Sequence, residues 1–177
     1  YVCEVIGDRG QACEQAEQLG TGHAAQCALP ALEGFEGDVL ITYADIPLVT
    51  AGTLQGLIDH HRSSGAAATV LTTEVDDPTG YGRIVRESTD AVSAIIEHRD
   101  ASPEQQAIRE INTGIYVFDA QALRGALQQI TPDNEQGELY LTDAIEILVA
   151  YGRTVSATST ADASEVMGIN NRLQLAA

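Results

Sequence analysis

The chain has 177 residues, 44% of them hydrophobic, and a formal net charge of −17. A chain of this length supports one domain with a core of its own; it holds no apolar run near the roughly 18 residues of a membrane span, and its charge disfavours nucleic acid as a partner and leaves any phosphate to be held by local features. All nine basic residues are arginine, which excludes a Schiff-base or phosphate-clamping lysine from these residues.

Cys3, Cys13 and Cys27 are odd in number and form no C-x-x-C pair, so free thiols in a reducing cytosol are expected rather than a disulfide framework or a structural metal. No basic segment precedes an apolar one at the start, which predicts no signal peptide and a cytoplasmic location.

Residues 2–6 read as a short strand and residues 7–10 as a turn. Gly20-Thr21-Gly22 directly precedes an alanine-rich helix that runs to Leu29-Pro30. Such a turn either faces a ligand with backbone N–H groups and a hydroxyl or is a loop with Thr21 or a neighbour as N-cap. The run Val39–Leu48 reads as a buried parallel strand covered on both faces, ending at Asp45. Ligands gather outside the carboxyl ends of strands in open α/β sheets; alternatively Asp45 caps a turn or the following helix.

Thr50 to Gly65 has Leu54, Leu57 and Ile58 at helical spacing, and His60 and His61 near its end read as surface cations rather than metal ligands. Residues 66–75 form a strand that feeds Asp76–Arg83, where two glycines bracket Tyr81 and permit close approach of a ring or sugar. Strands at 83–87 and 91–97 make a hairpin about Ser88-Thr89-Asp90. Its end, Glu97-His98-Arg99-Asp100, reads by itself as a solvated ion pair. Residues 101–109 are a short helix or loop, and 111–118 a strand whose Asn112 amide needs hydrogen-bond partners, a ligand being one source. Helices at 121–129 and 141–151, a strand at 154–158 and a last helix opening at Asn170 complete the pattern. The alternation predicts an α/β fold: a mostly parallel mixed sheet, helices on both faces and one inserted antiparallel hairpin.

Seven segments in order carry a resemblance: Gln15-x-x-x-Leu19-Gly20-Thr21-Gly22-His23-Ala24, Tyr43–Leu48, Asp76–Ile84, Glu97–Ala101, Glu110–Tyr116, Gln136–Asp143 and Gly168–Leu175. Together they resemble the N-acetylglucosamine-1-phosphate uridyltransferase domain, the N-terminal domain of a bacterial bifunctional enzyme. The resemblance implies a Rossmann-like nucleotidyltransferase domain, represented in part by residues 1–177, that uses UTP, N-acetylglucosamine 1-phosphate and Mg²⁺ to make UDP-N-acetylglucosamine. It implies that Gln15 reads the uracil edge with both a donor and an acceptor, beside Gly20 and Thr21. Tyr43, Ala44 and Asp45 would line the centre, and Gly82, Glu97 and Asn112 would contact the sugar. Asp45 and Asn170 would be the catalytic pair, as the protein's magnesium ligands.

Ala44 stands where the family has glycine, and Arg99 where lysine is usual. The family's opening glycine-rich loop and its C-terminal β-helix, through which full-length members form homotrimers, have no counterpart in these residues. A sheet edge is therefore expected to lie open. Two other readings follow: a non-catalytic UDP-sugar-binding module, and a related pyrophosphorylase for another sugar or nucleotide.

Overall fold

The computed structural model describes residues 2–87 and 91–169. These form α1 (Val2–Ile6), α2 (Thr21–Ala28), β1 (Asp38–Ile41), α3 (Ala51–Ser64), β2 (Ala68–Glu74), β3 (Arg83–Arg86), β4 (Val92–Ile96), α4 (Pro103–Gln106), β5 (Glu110–Asp119), α5 (Ala120–Leu127), α6 (Asp143–Ala150) and β6 (Val155–Ser159). The expected turn at 88–90 and the helix from Asn170 lie outside the described residues. No helix among the described residues is long and apolar enough to cross a membrane.

The sheet runs β4-β3-β5-β2-β6, with β1 also paired to β5. The α/β class and the inserted β3–β4 hairpin are as the sequence predicts. Four strands, β1, β2, β3 and β6, point the same way. The ladders are nonetheless mostly antiparallel, because β5 runs against β1, β2 and β3 and β4 runs against β3; only β2–β6 is a parallel pair among the described residues. β5 inserts between strands of common direction and must oppose each of them.

Successive residues of β5 point to opposite faces. Tyr116 and Phe118 pack with Val70, with Leu123 and Leu127 of α5 and with Ile145 and Leu148 of α6. Ile115 and Val117 face the other way, onto Leu57 of α3, Leu71 and Val166. Helices thus cover both faces. α3 begins where the Thr50 side chain accepts the Thr53 N–H at 3.2 Å and stops at Gly65 in the left-handed region. Its buried Leu57 contributes roughly 1.5–3 kcal/mol by leaving water.

Three expectations fail. Residues 2–6 are helical, not extended: Val2, Val5 and Ile6 stand at helical spacing, and no described strand pairs with them. β1 is not a buried parallel strand; it is four residues long, antiparallel to β5, and half-buried, with Val39 and Ile41 on the core while Leu40 is 37% exposed. An antiparallel strand tolerates one wet face. His61 is not a surface cation: it is buried, with Nδ1 2.9 Å from the Thr69 hydroxyl and Nε2 3.7 Å from Asp38. His60 meets the Ser156 hydroxyl at 2.8 Å.

Burial pushes the His61 imidazole below its ordinary value, against the opposing pull of Asp38. Native His61 therefore stays neutral at pH values where the unfolded chain already protonates it. Its stabilising contribution is complete above about 6.5, the ordinary value, and is lost as pH falls toward the depressed one. In urea titrations between pH 8 and 5, the stability of the wild type relative to His61→Asn is expected to decline as the pH drops. Parallel curves would contradict this.

Candidate active site

In β5, Val70 pairs with Tyr116 and Thr72 with Asn112, so three residues of β5 oppose the single Leu71 of β2. This bulge re-aims the chain. The Thr113 hydroxyl repairs the ladder by donating to the Leu71 carbonyl at 2.7 Å. Gly114 takes φ +81°, and a Cβ there would come too close to the edge of the Tyr43 ring to be accommodated. The missing side chain is what admits that ring, just after β1 ends. Burial raises the Tyr43 phenol above its ordinary value, with the Thr21 side chain opposing and the charges of Glu97 and Asp45 reinforcing.

A cavity of about 300 Å³ opens beside this contact and is lined by Tyr43, Asp45, Gly82, Glu97, Asn112 and Gly114, among others. The Asn112 backbone N–H donates to the Gly82 carbonyl at 2.9 Å. The bare face of Gly82 lies among Ile95, Asn112 and Glu97. The Asn112 side chain donates to the Tyr116 hydroxyl at 2.7 Å and accepts the Gly114 N–H at 3.0 Å. Among the described residues, one amide hydrogen and one lone pair of this side chain take no partner. Glu97 is no solvated ion-pair member: burial raises its carboxyl above the ordinary value, while Thr142 opposes the shift by donating to Oε1 at 3.2 Å. His98 instead faces the buried Arg83 at 3.2 Å.

A second cleft of about 840 Å³ adjoins the first through Thr21, Tyr43 and Glu138, and Gln15 and Gly20 line it. Gly20 is the N-cap of α2. Its φ of +110° and the Leu139 carbonyl oxygen, only 2.5 Å from where a Cβ would be, together require glycine. Leu139 donates to the Leu19 carbonyl at 2.8 Å and accepts the Gly22 N–H at 2.7 Å. The Thr21 hydroxyl accepts the Leu141 N–H at 3.0 Å, which latches the turn to the segment before α6.

Gln15, Gly20, Thr21, Tyr43, Asp45, Gly82, Glu97 and Asn112 thus all border two adjoining cavities, whereas Ala44 is exposed and lines neither. Asn170 lies outside the described residues. The preceding residue is tied to the site, since the Ile169 N–H donates to the Asp45 carbonyl at 2.8 Å. No group of three or more His, Cys, Asp or Glu among the described residues could hold a metal. Thr142 and Tyr116, which bond Glu97 and Asn112, and Tyr140, which lines the smaller cavity, carry no local signal of a role; Thr142 and Tyr140 stand in the quoted Gln136–Asp143 segment, and Tyr116 closes the Glu110–Tyr116 one. Asp143, the first residue of α6, is pushed up to about 6 by burial and by Glu146, Glu97 and Asp100. Burial, with those acids, outweighs the favourable helix terminus.

A model of the nucleotidyl transferase family matches residues 8–163. Over 162 residues the chain is 54% identical to the bifunctional protein GlmU of Corynebacterium glutamicum, which covers 92% of this chain and 33% of that protein. Identity to the protein of the same name from Pelotomaculum thermopropionicum is 54% over 175 residues, or 99% of this chain and 38% of the relative. For that of Exiguobacterium sibiricum it is 50% over 175 residues, or 99% and 39%. The chain spans between 33% and 39% of the length of these relatives.

The Thr142–Glu97 bond is strongest when the carboxyl is charged. Thr142→Val is therefore expected to cost about 1–2 kcal/mol at pH 8 and less at pH 4, where the raised Glu97 is already protonated. Urea unfolding at the two pH values measures the difference; an equal loss at both would separate Thr142 from the charge on Glu97.

Proposed function

Because the chain belongs to the nucleotidyl transferase family, we propose that it binds UTP and N-acetylglucosamine 1-phosphate and forms UDP-N-acetylglucosamine, releasing pyrophosphate. What supports this reading is one convergence. Asp45 shares a cavity with Gly82, Glu97 and Asn112, and Thr21 and Tyr43 join that cavity to the cleft bordered by Gln15. A nucleotide in the larger cleft and a sugar in the smaller one would meet at Tyr43 and Asp45.

In the reaction, a phosphate oxygen of N-acetylglucosamine 1-phosphate attacks the α-phosphorus of UTP in line, and the bond to the β-phosphate oxygen breaks. The protein contributes position above all, since holding two reactants in register removes much of the entropic barrier. Asn112, with one donor and one acceptor uncommitted among the described residues, and Glu97, a half-buried acceptor, would hold polar groups of the sugar. Gly82 leaves room for the ring to approach the backbone. Gln15 would hold the base, beside Gly20 and Thr21.

No Arg among the described residues lines either cavity, so a cation suits the phosphate charge. Asp45 at the cavity and Asn170 would be the protein ligands of Mg²⁺. This sparse set fits an ion that keeps waters and binds substrate phosphates rather than one held in an all-protein cage. When bound, Mg²⁺ would neutralise charge developing on the phosphates.

Asp45→Ala is expected to lower pyrophosphate release by at least ~100-fold, and chelation with EDTA to abolish it in the wild type. Unchanged turnover in the variant would remove Asp45 from the metal site. Wild-type protein that binds UDP-N-acetylglucosamine without turnover in Mg²⁺ would be a binding module, and equal affinity across a panel of nucleotide sugars would sink the substrate assignment.

A further inference from the structure

The carboxamide of Gln15 is held at both of its hydrogens. Nε2 lies 3.0 Å from the Gly20 carbonyl oxygen and 3.1 Å from Nδ1 of His23. A carbonyl can only accept, so the contact with Gly20 settles which end of the amide is nitrogen. An amide nitrogen can only donate, so Nδ1 of His23 must be the acceptor. The imidazole then carries its proton on Nε2, which faces the Cys27 thiol at 3.8 Å. His23 and Cys27 stand one turn apart on α2, so the helix itself sets the ring's position.

The consequence lies at the other end of the amide. Oε1 of Gln15 takes no hydrogen bond from any described residue, and Gln15 borders the larger cleft. The sequence-based expectation of an amide that offers both a donor and an acceptor is therefore narrowed: with both hydrogens committed, only an acceptor is on offer. Uracil carries a hydrogen on N3, whereas N3 of cytosine is a lone pair. A fixed acceptor matches the first and repels the second.

We propose that His23 is a positioning residue that sets pyrimidine specificity: by holding the Gln15 amide in one orientation, it makes the site select bases with an imide N–H, uracil or thymine, over cytosine. The inference deepens the uridyltransferase reading and rests on it. Without His23 one amide hydrogen loses its partner, the carboxamide is freer to turn, and Nε2 can face the ligand. Discrimination of this kind depends on leaving a polar group unpaired in the wrong complex, and a rotating amide avoids that penalty.

The test is equilibrium titration of UTP, dTTP and CTP, with Mg²⁺, into wild type, His23→Leu and His23→Asn. Asn is chosen because its Oδ1 stands close to the position of Nδ1 and accepts. UTP and dTTP are expected to bind the wild type better than CTP. His23→Leu should weaken UTP and narrow the UTP-to-CTP ratio on the order of tenfold, and His23→Asn should restore the ratio. Should His23→Leu not fold, as judged by circular dichroism, the ratio in His23→Asn alone decides. A wild-type ratio in folded His23→Leu, or no recovery in folded His23→Asn, overturns the role of His23 while leaving the uridyltransferase reading intact. Failure of the wild type to prefer UTP over CTP overturns both.

Discussion

The ring of Tyr43 occupies the space that a side chain at residue 114 would need, and the rest of the site is built outward from that contact. β5 reaches it by carrying three residues opposite one of β2, with the Thr113 hydroxyl standing in for the disrupted ladder. The φ of +81° at Gly114 would cost an ordinary L-residue roughly 1–2 kcal/mol before any clash. β1 leaves the sheet after Ile41, opposite Tyr116. Seating Tyr43 on the bulge fixes where Asp45 emerges. The Asn112 side chain, two residues before Gly114, accepts the Gly114 N–H in the bulge and donates to the Tyr116 hydroxyl. The same piece of backbone therefore sets two walls of the cavity.

A second latch sets the side of the larger cleft. Gly20 and Gly22 lie against Leu139 so closely that main chain bonds to main chain, and the Thr21 hydroxyl takes the Leu141 N–H. The segment that passes this latch continues through Thr142, which donates to Glu97. The turn before α2 and the carboxylate just after β4 are thus connected through a few residues of the segment before α6. Each latch costs flexibility at a glycine and gains a fixed distance between side chains far apart in sequence.

Much of the frame was legible beforehand, and the reasons are local. Thr50 and Gly65 bound α3 by capping chemistry, and the apolar runs of β2 and β5 identify them as strands. What was not legible depends on partners distant in sequence. His61 looks like an exposed residue at a helix end until β2 brings Thr69 against it and β1 brings Asp38. β1 looked buried because its residues are apolar, yet burial is decided by what stands beside it, and β5 is its ladder partner among the described residues. Glu97 read as solvated because Thr142, 45 positions away, is invisible to local spacing. Asp45 was legible as an acid at a strand end, though the strand stops at Ile41, short of where the apolar run suggested.

These parts depend on the Gly114–Tyr43 contact, which stands where the smaller cavity adjoins the larger cleft. Titration of UDP-N-acetylglucosamine into wild type and Gly114→Ala measures it most directly, with circular dichroism confirming that the variant is folded. A methyl group that displaces the ring costs on the order of 1–3 kcal/mol, so binding in the variant is expected to be roughly 5- to 150-fold weaker. A folded Gly114→Ala protein that binds UDP-N-acetylglucosamine as tightly as the wild type would contradict it.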